Sequence, residues 1–228
     1  MKYDTTTMET FFDKETEEMI THTVNGKIDP LFVEYRKKIV LDYNKLRKIA
    51  EGYQALDQKV VVTIGSWDAL HIGHVRYIIK AHAAGDILIV ALDSDRAIKL
   101  YKGPLRPLIP ESERAEMLTY LGNLVSFITV IDDVDESGWW QCELLKTIKP
   151  DIFVAVEDSY PEEQLQEIRS HCPEVIVLPR QAEETSTSAL VEMTLKKNFL
   201  AAFQEALDGT LQRRKPTRPN SLVHSSDT

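Results

Sequence analysis

Between residues 59 and 180 five short apolar runs alternate with four amphipathic stretches. The runs are "KVVVTIGS" (59–66), "DILIVALDS" (86–94), "SFITVID" (126–132), "DIFVAVE" (151–157) and "EVIVLPR" (174–180). They are rich in Val and Ile and nearly continuous, which predicts strands covered on both faces. Between them "HVRYIIKAHAAG", "ESERAEMLTYLG", "WWQCELLKTIK" and "PEEQLQEIRSHC" carry helical spacing, with Gly85 a stop for the first. Pro150 and Pro173 each separate a helix from the next strand.

Strands alternating with helices of this length imply an α/β fold, a five-stranded parallel sheet of Rossmann-like architecture with helices on both faces. Ligands of such sheets bind beyond the carboxyl ends of the strands. The segment after Ser66, a loop after Asp93 and the end of the last strand therefore share one functional face.

The flanks differ. Residues 1–25 are polar, and 30–57 space Phe32, Tyr35, Ile39, Tyr43, Leu46 and Ile49 as one long amphipathic helix. That helix packs on the sheet, or forms a dimer contact or a lid. After Ser186, "SALVEMTLKKNFLAAFQEAL" predicts helix to about Leu207, and "QRRKPTRPNSLVHSSDT" a disordered tail. The expected organisation is a helical extension (1–58), an α/β domain with its C-terminal helix (59–208) and a tail (209–228).

A formal charge of −9 over 228 residues argues against nucleic-acid binding. No eighteen-residue apolar run and no basic-then-apolar start occurs, so neither a membrane span nor a secretory signal is expected. Cys142 and Cys172 have no metal-type spacing and suit free thiols in a cytoplasmic protein.

Where the first strand meets the first helix stands His71-Ile72-Gly73-His74. Two histidines three apart could serve a metal, although no third ligand is nearby. They could equally be structural, one capping the helix and the other buried. Gly65 would permit a tight turn and Gly73 a close ligand approach. A helix N-terminus favours phosphate, and two imidazoles beside it can donate to oxygens whose charge grows in a transition state.

Gly65-Ser66-Trp67-Asp68-Ala69-Leu70-His71-Ile72-Gly73-His74 resembles the G-x-F-D-x-x-H-x-G-H signature of the cytidylyltransferase-like nucleotidyltransferases, with Trp67 replacing Phe. The resemblance implies that His71 and His74 act on a triphosphate, with Gly65, Ser66, Trp67, Asp68 and Gly73 around it. Lys99, Lys102, Gly103, Arg106, Pro107 and Arg114 are similar to the middle segment of the adenylyltransferase part of ADP-heptose synthase. That similarity implies a lysine-bearing loop over the phosphates, Lys99 and Lys102 being equally placed, with Arg106 and Arg114 as nucleotide contacts. Arg180, Ser186, Thr187 and Ser188 match the family's C-terminal Arg…Ser-Thr element, without its usual glycine. Where the heptose enzymes carry Lys-Gly-Gly-Asp-Tyr, this chain has Ala155, Val156, Glu157 and Asp158, so Glu157 and Asp158 are the expected co-substrate residues.

The implied reaction joins a nucleoside monophosphate from an NTP, ATP ahead of CTP, to a sugar or polyol phosphate. Mg²⁺ would be held mainly through the NTP phosphates, without a protein metal site. A homodimer is expected from the family and the N-terminal helix. An adenylyltransferase acting on FMN or a mononucleotide, and a nucleotide-binding regulator without turnover, are the other readings.

Overall fold

A computed structural model describes residues 36–182 and 186–207, and it contains all five strands. In chain order the elements are α1 (Tyr43–Gln54), β1 (Val60–Gly65), α2 (Ile72–His82), β2 (Ile87–Asp93), α3 (Asp95–Lys102) and α4 (Glu111–Thr119). A 3₁₀ turn (Gly122–Leu124) leads to β3 (Phe127–Ile131), α5 (Glu143–Ile148), β4 (Ile152–Val156), α6 (Glu162–His171), β5 (Glu174–Leu178) and α7 (Thr187–Leu207).

The strands form one sheet of order β3-β2-β1-β4-β5, every pairing parallel. Side chains alternate across it, as the period of two requires. Val60, Val62, Ile89, Ala91, Phe153 and Ala155 pack with Leu46, Ala50, Leu144, Leu145, Leu165 and Ile168 from α1, α5 and α6. Val61, Leu88, Val90, Leu92, Ile152 and Val154 face the opposite core, with Tyr77, Ile78 and Ala81 of α2 and Ala115 and Leu118 of α4. Both faces are covered over β1 to β4, as the apolar runs predict, but not over edge strand β5, whose residues are half-buried or exposed, with Val177 40 % exposed.

The sequence direction reverses between β1 and β4: β2 and β3 lie to one side of β1, β4 and β5 to the other. The crevice this opens at the carboxyl ends is where sheets of this kind take ligands.

Three expectations require correction. The N-terminal helix begins at Tyr43, not at residue 30. Asp42 caps it by accepting from Asn44 N at 2.8 Å, and just before it Ile39 and Val40 run alongside β3, with Val40 N donating to Ile128 O at 2.8 Å. Phe32 and Tyr35 lie outside the described residues, as do the other residues before 36 and the expected tail. The second correction is α3: Ser94 caps a helix at Asp95–Lys102 where a loop was expected. Finally, α5 is short because Cys142 stands in the left-handed region (φ 57°) and Trp140 bridges Val134.

Gly85 does follow a helix, yet its role is proximity. A Cβ there would lie 2.6 Å from Val61 Cγ2 and 2.9 Å from Lys59 O. Both cysteines are free and buried. No helix among the described residues is long and apolar enough to cross a membrane.

The chain divides into two units, Met1–Thr187 and Ser188–Thr228. The first holds the sheet. In the second, α7 carries exposed Met193, Leu195, Phe199, Leu200 and Phe203, the two phenylalanine rings stacked at 6.1 Å.

Candidate functional site

After β1 the chain turns sharply, and two non-glycine residues carry the turn: Trp67 (φ 49°) and Ala69 (φ 48°). Gly65 contributes space instead. A Cβ on it would meet the Trp67 ring at 3.2 Å. The indole is buried, donating its N–H to Ala91 O at 2.8 Å, and it sets an anchored wall beside the histidines.

His71 is the N-cap of α2, its Nδ1 accepting from Gly73 N at 3.1 Å. A neutral imidazole that accepts through Nδ1 carries its hydrogen on Nε2, so the cap fixes the tautomer. His74 stacks on His71 with ring centroids 3.9 Å apart and meets the edge of Trp67 at 5.5 Å. Its Nδ1 is buried without a partner. Burial lowers the pKa of both rings. For His74, neighbouring His71 and Lys102 lower it further, to about 3. The capping-and-buried arrangement is therefore present, and it prepares two neutral donors at the mouth of the crevice.

Gly73 has a different role from the one expected. Its N–H is occupied by the His71 cap, and a Cβ would meet His71 Cε1 at 2.9 Å and Ala182 Cβ at 3.0 Å. Glycine stands there to admit the cap and the 182 segment.

Moving the two lysines from loop to helix separates them. Both are exposed, and Lys102, in the last turn of α3, is the one that donates from Nζ to Ser66 Oγ, at 2.8 Å. Burial lowers the Lys102 pKa, and Asp93 is the first of the opposing influences.

Four other residues expected to touch the nucleotide turn inward. Trp67 is one. Asp68 is fully buried: it accepts from Leu108 N at 3.0 Å and Ile109 N at 3.1 Å, and pairs with Arg106 Nη2 at 2.7 Å. Arg106, 11 % exposed, is thereby held against the β1–α2 turn. Arg114 is fully buried in α4. It donates to Ser66 O at 2.5 Å, Ile109 O at 2.9 Å, Asp93 O at 2.9 Å and Asp95 Oδ1 at 2.7 Å. One guanidinium thus fastens the tips of β1 and β2 to the 103–110 loop.

Thr187 Oγ1 donates to Asp68 O at 2.5 Å, so the C-terminal hydroxyl element does reach the β1–α2 turn. Ser186 stands beside it, and the side chain of Ser188 lies outside the described residues. At the tips of β4 and β5, Arg180 Nε donates to Asp158 Oδ2 at 2.6 Å, and Glu157 Oε1 accepts from Arg180 N at 3.3 Å. The expected nucleotide arginine and co-substrate acids are thus partners of one another.

Sequence reasoning assigns no role to two residues at this face, Asp93 and Tyr101, which are joined by a 2.6 Å hydrogen bond. The available signal for Asp93 was an acidic residue at the carboxyl end of an otherwise apolar strand.

Among the described residues no group of three or more His, Cys, Asp or Glu side chains could hold a metal ion. Asp68, the acid of the β1–α2 turn, is already engaged by Arg106 and by the N–H groups of Leu108 and Ile109. The donors that face the crevice are imidazole N–H groups, a hydroxyl and an ammonium, a set suited to phosphate oxygens.

Residues 62–227, well over half of the chain, match the cytidylyltransferase-like family. The chain belongs to that family. Its relatives include the bifunctional protein HldE of Syntrophotalea carbinolica, 41 % identical over 130 residues, covering 57 % of this chain and 25 % of that protein. HldE of Helicobacter acinonychis is 40 % identical over 153 residues, covering 67 % of this chain and 30 % of the relative. HldE of Wolinella succinogenes is 36 % identical, with the same coverage. The chain thus spans between 25 % and 30 % of the length of these three relatives. A solved lipopolysaccharide core biosynthesis protein from Thermoplasma volcanium, 22 % identical, aligns with 56 % of this chain and 99 % of its own at a TM-score of 0.45. Family and relatives together make this cytidylyltransferase-like chain a nucleotidyltransferase.

Proposed function

We propose that this protein transfers the adenylyl group of MgATP to a phosphate oxygen of a sugar phosphate, a heptose phosphate being the first acceptor to test. The observation that carries the reading is the stacked His71–His74 pair, with Lys102 beside it on Ser66, at the carboxyl ends of β1 and β2. The likeness of 99–114 to the heptose enzymes and the relatives named HldE favour ATP and a sugar phosphate over CTP and a polyol phosphate.

In the proposed step an acceptor phosphate oxygen attacks the α-phosphorus in line. A new P–O bond forms, the α–β bridging bond breaks, and its electron pair leaves on pyrophosphate. The attacking phosphate is already ionised, so no general base is needed. His71 and His74 remain neutral and each donates one N–H to phosphate oxygens, while Lys102 supplies a full positive charge. Asp68, Arg106, Arg114 and Trp67 hold these groups in place and do not touch the nucleotide. Mg²⁺, which would supply further charge neutralisation, fits as an ion carried by the phosphates, given the acid-poor donor set. Arg180 meets the triphosphate after leaving Asp158. The active species is a homodimer, which analytical ultracentrifugation checks directly.

The test is pyrophosphate release with Mg²⁺ and ATP or CTP against sugar 1-phosphates including a heptose 1-phosphate, glycerol 3-phosphate and FMN. ATP with a sugar 1-phosphate is the pair expected to turn over. His71→Ala and His74→Ala each lower the rate by about 10²–10³ with the fold intact by circular dichroism. Turnover with CTP alone overturns the nucleotide assignment, and near-normal rates in both variants overturn the histidine roles.

A further inference from the structure

Lysine side chains at a protein surface sample many rotamers, and ordering one at a phosphate site loses that freedom. Lys102 is already ordered. Its Nζ donates to Ser66 Oγ at 2.8 Å and lies 5.4 Å from the centroid of the Tyr101 ring, within cation–π range. That ring is itself fixed, because Tyr101 Oη donates to Asp93 Oδ2 at 2.6 Å, at the end of β2. Gly138 packs close to α3 at the same residue. A Cβ there would stand 3.5 Å from Tyr101 Cβ and 3.7 Å from Leu100 Cβ. The chain from sheet to ammonium is therefore continuous: Asp93, Tyr101, Lys102, Ser66.

We propose that Tyr101 and Asp93 are positioning residues, which hold the Lys102 ammonium at Ser66 and keep it charged for the incoming triphosphate. This rests on the reading of Lys102 as a phosphate-binding lysine. The charge balance around Lys102 agrees with it. Asp93 from β2 and Asp68 from the β1–α2 turn favour the protonated amine, whereas burial, Arg106 of the 103–110 loop and Arg114 of α4 disfavour it. His74 of α2 also faces Lys102, and it is neutral near pH 7. Asp93 is the larger of the two supports, and Tyr101 fixes its carboxylate by hydrogen bonding.

The experiment measures MgATP affinity by calorimetry from pH 7 to 10, without any acceptor. In the unsubstituted protein, affinity falls as Lys102 loses its proton. Asp93→Asn moves that fall downward by about one pH unit, the effect expected for removal of a nearby opposite charge. Tyr101→Phe keeps the ring and loses the anchor, moving the fall in the same direction by less. Tyr101→Ala removes the ring as well and weakens binding by about threefold at pH 7.5, the size of an exposed cation–π contact. Lys102→Met abolishes the alkaline fall. If Lys102→Met leaves both affinity and pH curve unchanged, the reading of Lys102 fails, and the proposal with it. If Lys102→Met weakens binding while Asp93→Asn and Tyr101→Phe keep the original curve, the positioning proposal alone fails.

Discussion

His74 is a histidine that the folded chain will not protonate. Burial and the nearby His71 and Lys102 take its pKa to about 3, against an ordinary 6.5. Above pH 6.5 the ring is neutral in both folded and unfolded chains. Below it, the unfolded chain binds a proton that the folded one refuses, so this contribution to stability falls by about 1.4 kcal/mol per pH unit. Asp133 works in the opposite sense. Burial raises it to about 6, so its contribution is full below 3.8 and is lost as pH rises through 6. The two partly cancel between pH 6 and 4, and the wild-type curve alone conceals both. The comparison that isolates His74 is urea unfolding of His74→Gln beside wild type. From pH 6.5 to 4, the difference should move toward the variant by about 1.4 kcal/mol per unit. A constant difference would mean that His74 titrates normally. The motif itself was legible, since strand, turn and helix start coincide in ten residues. Its internal reasons were not. That Gly73 clears room for Ala182 depends on a neighbour more than a hundred residues away.

Elements were legible where hydrophobic period dominates and illegible where caps decide. All five strands appear within two residues of their apolar runs; β1 to β4 are largely buried, whereas edge strand β5 is recognisable from its Val and Ile although it is partly exposed. Helix α3 was missed because "DRAIKLYK" is short and half charged. The decisive signals are Ser94, whose Oγ accepts from Ala97 N at 2.9 Å, and Gly103 with φ 91°. Asp42 was overlooked in the same way inside an apparently longer helix. Arg114 shows what an element can carry inward: α4 delivers a buried cation to four acceptors at the tips of two neighbouring strands and the 103–110 loop. Replacing it with Met leaves Asp95 without its buried partner and three carbonyls without donors. A loss of about 3–5 kcal/mol in urea unfolding is expected. Arg114→Lys should recover little of it, because an ammonium cannot reproduce the fork. Recovery of more than half would show that charge rather than geometry holds the tips.

Across the whole molecule, the sheet order was only partly implied by the sequence. Alternating runs predict parallel pairing and a carboxyl-edge site, but not where the order reverses. The structure puts the reversal between β1 and β4, beside the histidines. Long-range polar pairs were invisible for the same reason, Arg180 with Asp158 and Asp68 with the 106–109 segment among them. Trp67 draws together the two scales. Its indole is anchored to Ala91 on β2, lies in the α2–α4 face of the core and touches His74 edge-on. The protein consequently carries its own optical gauge. In a background with Trp139→Phe and Trp140→Phe, emission should come from Trp67 alone, at the short wavelength of a buried indole. Adding MgATP should change its intensity through the histidine pair, and His74→Ala should silence that change while the unfolding red shift remains. One chromophore would then report occupancy of the crevice and integrity of the sheet in a single cuvette, with no label attached.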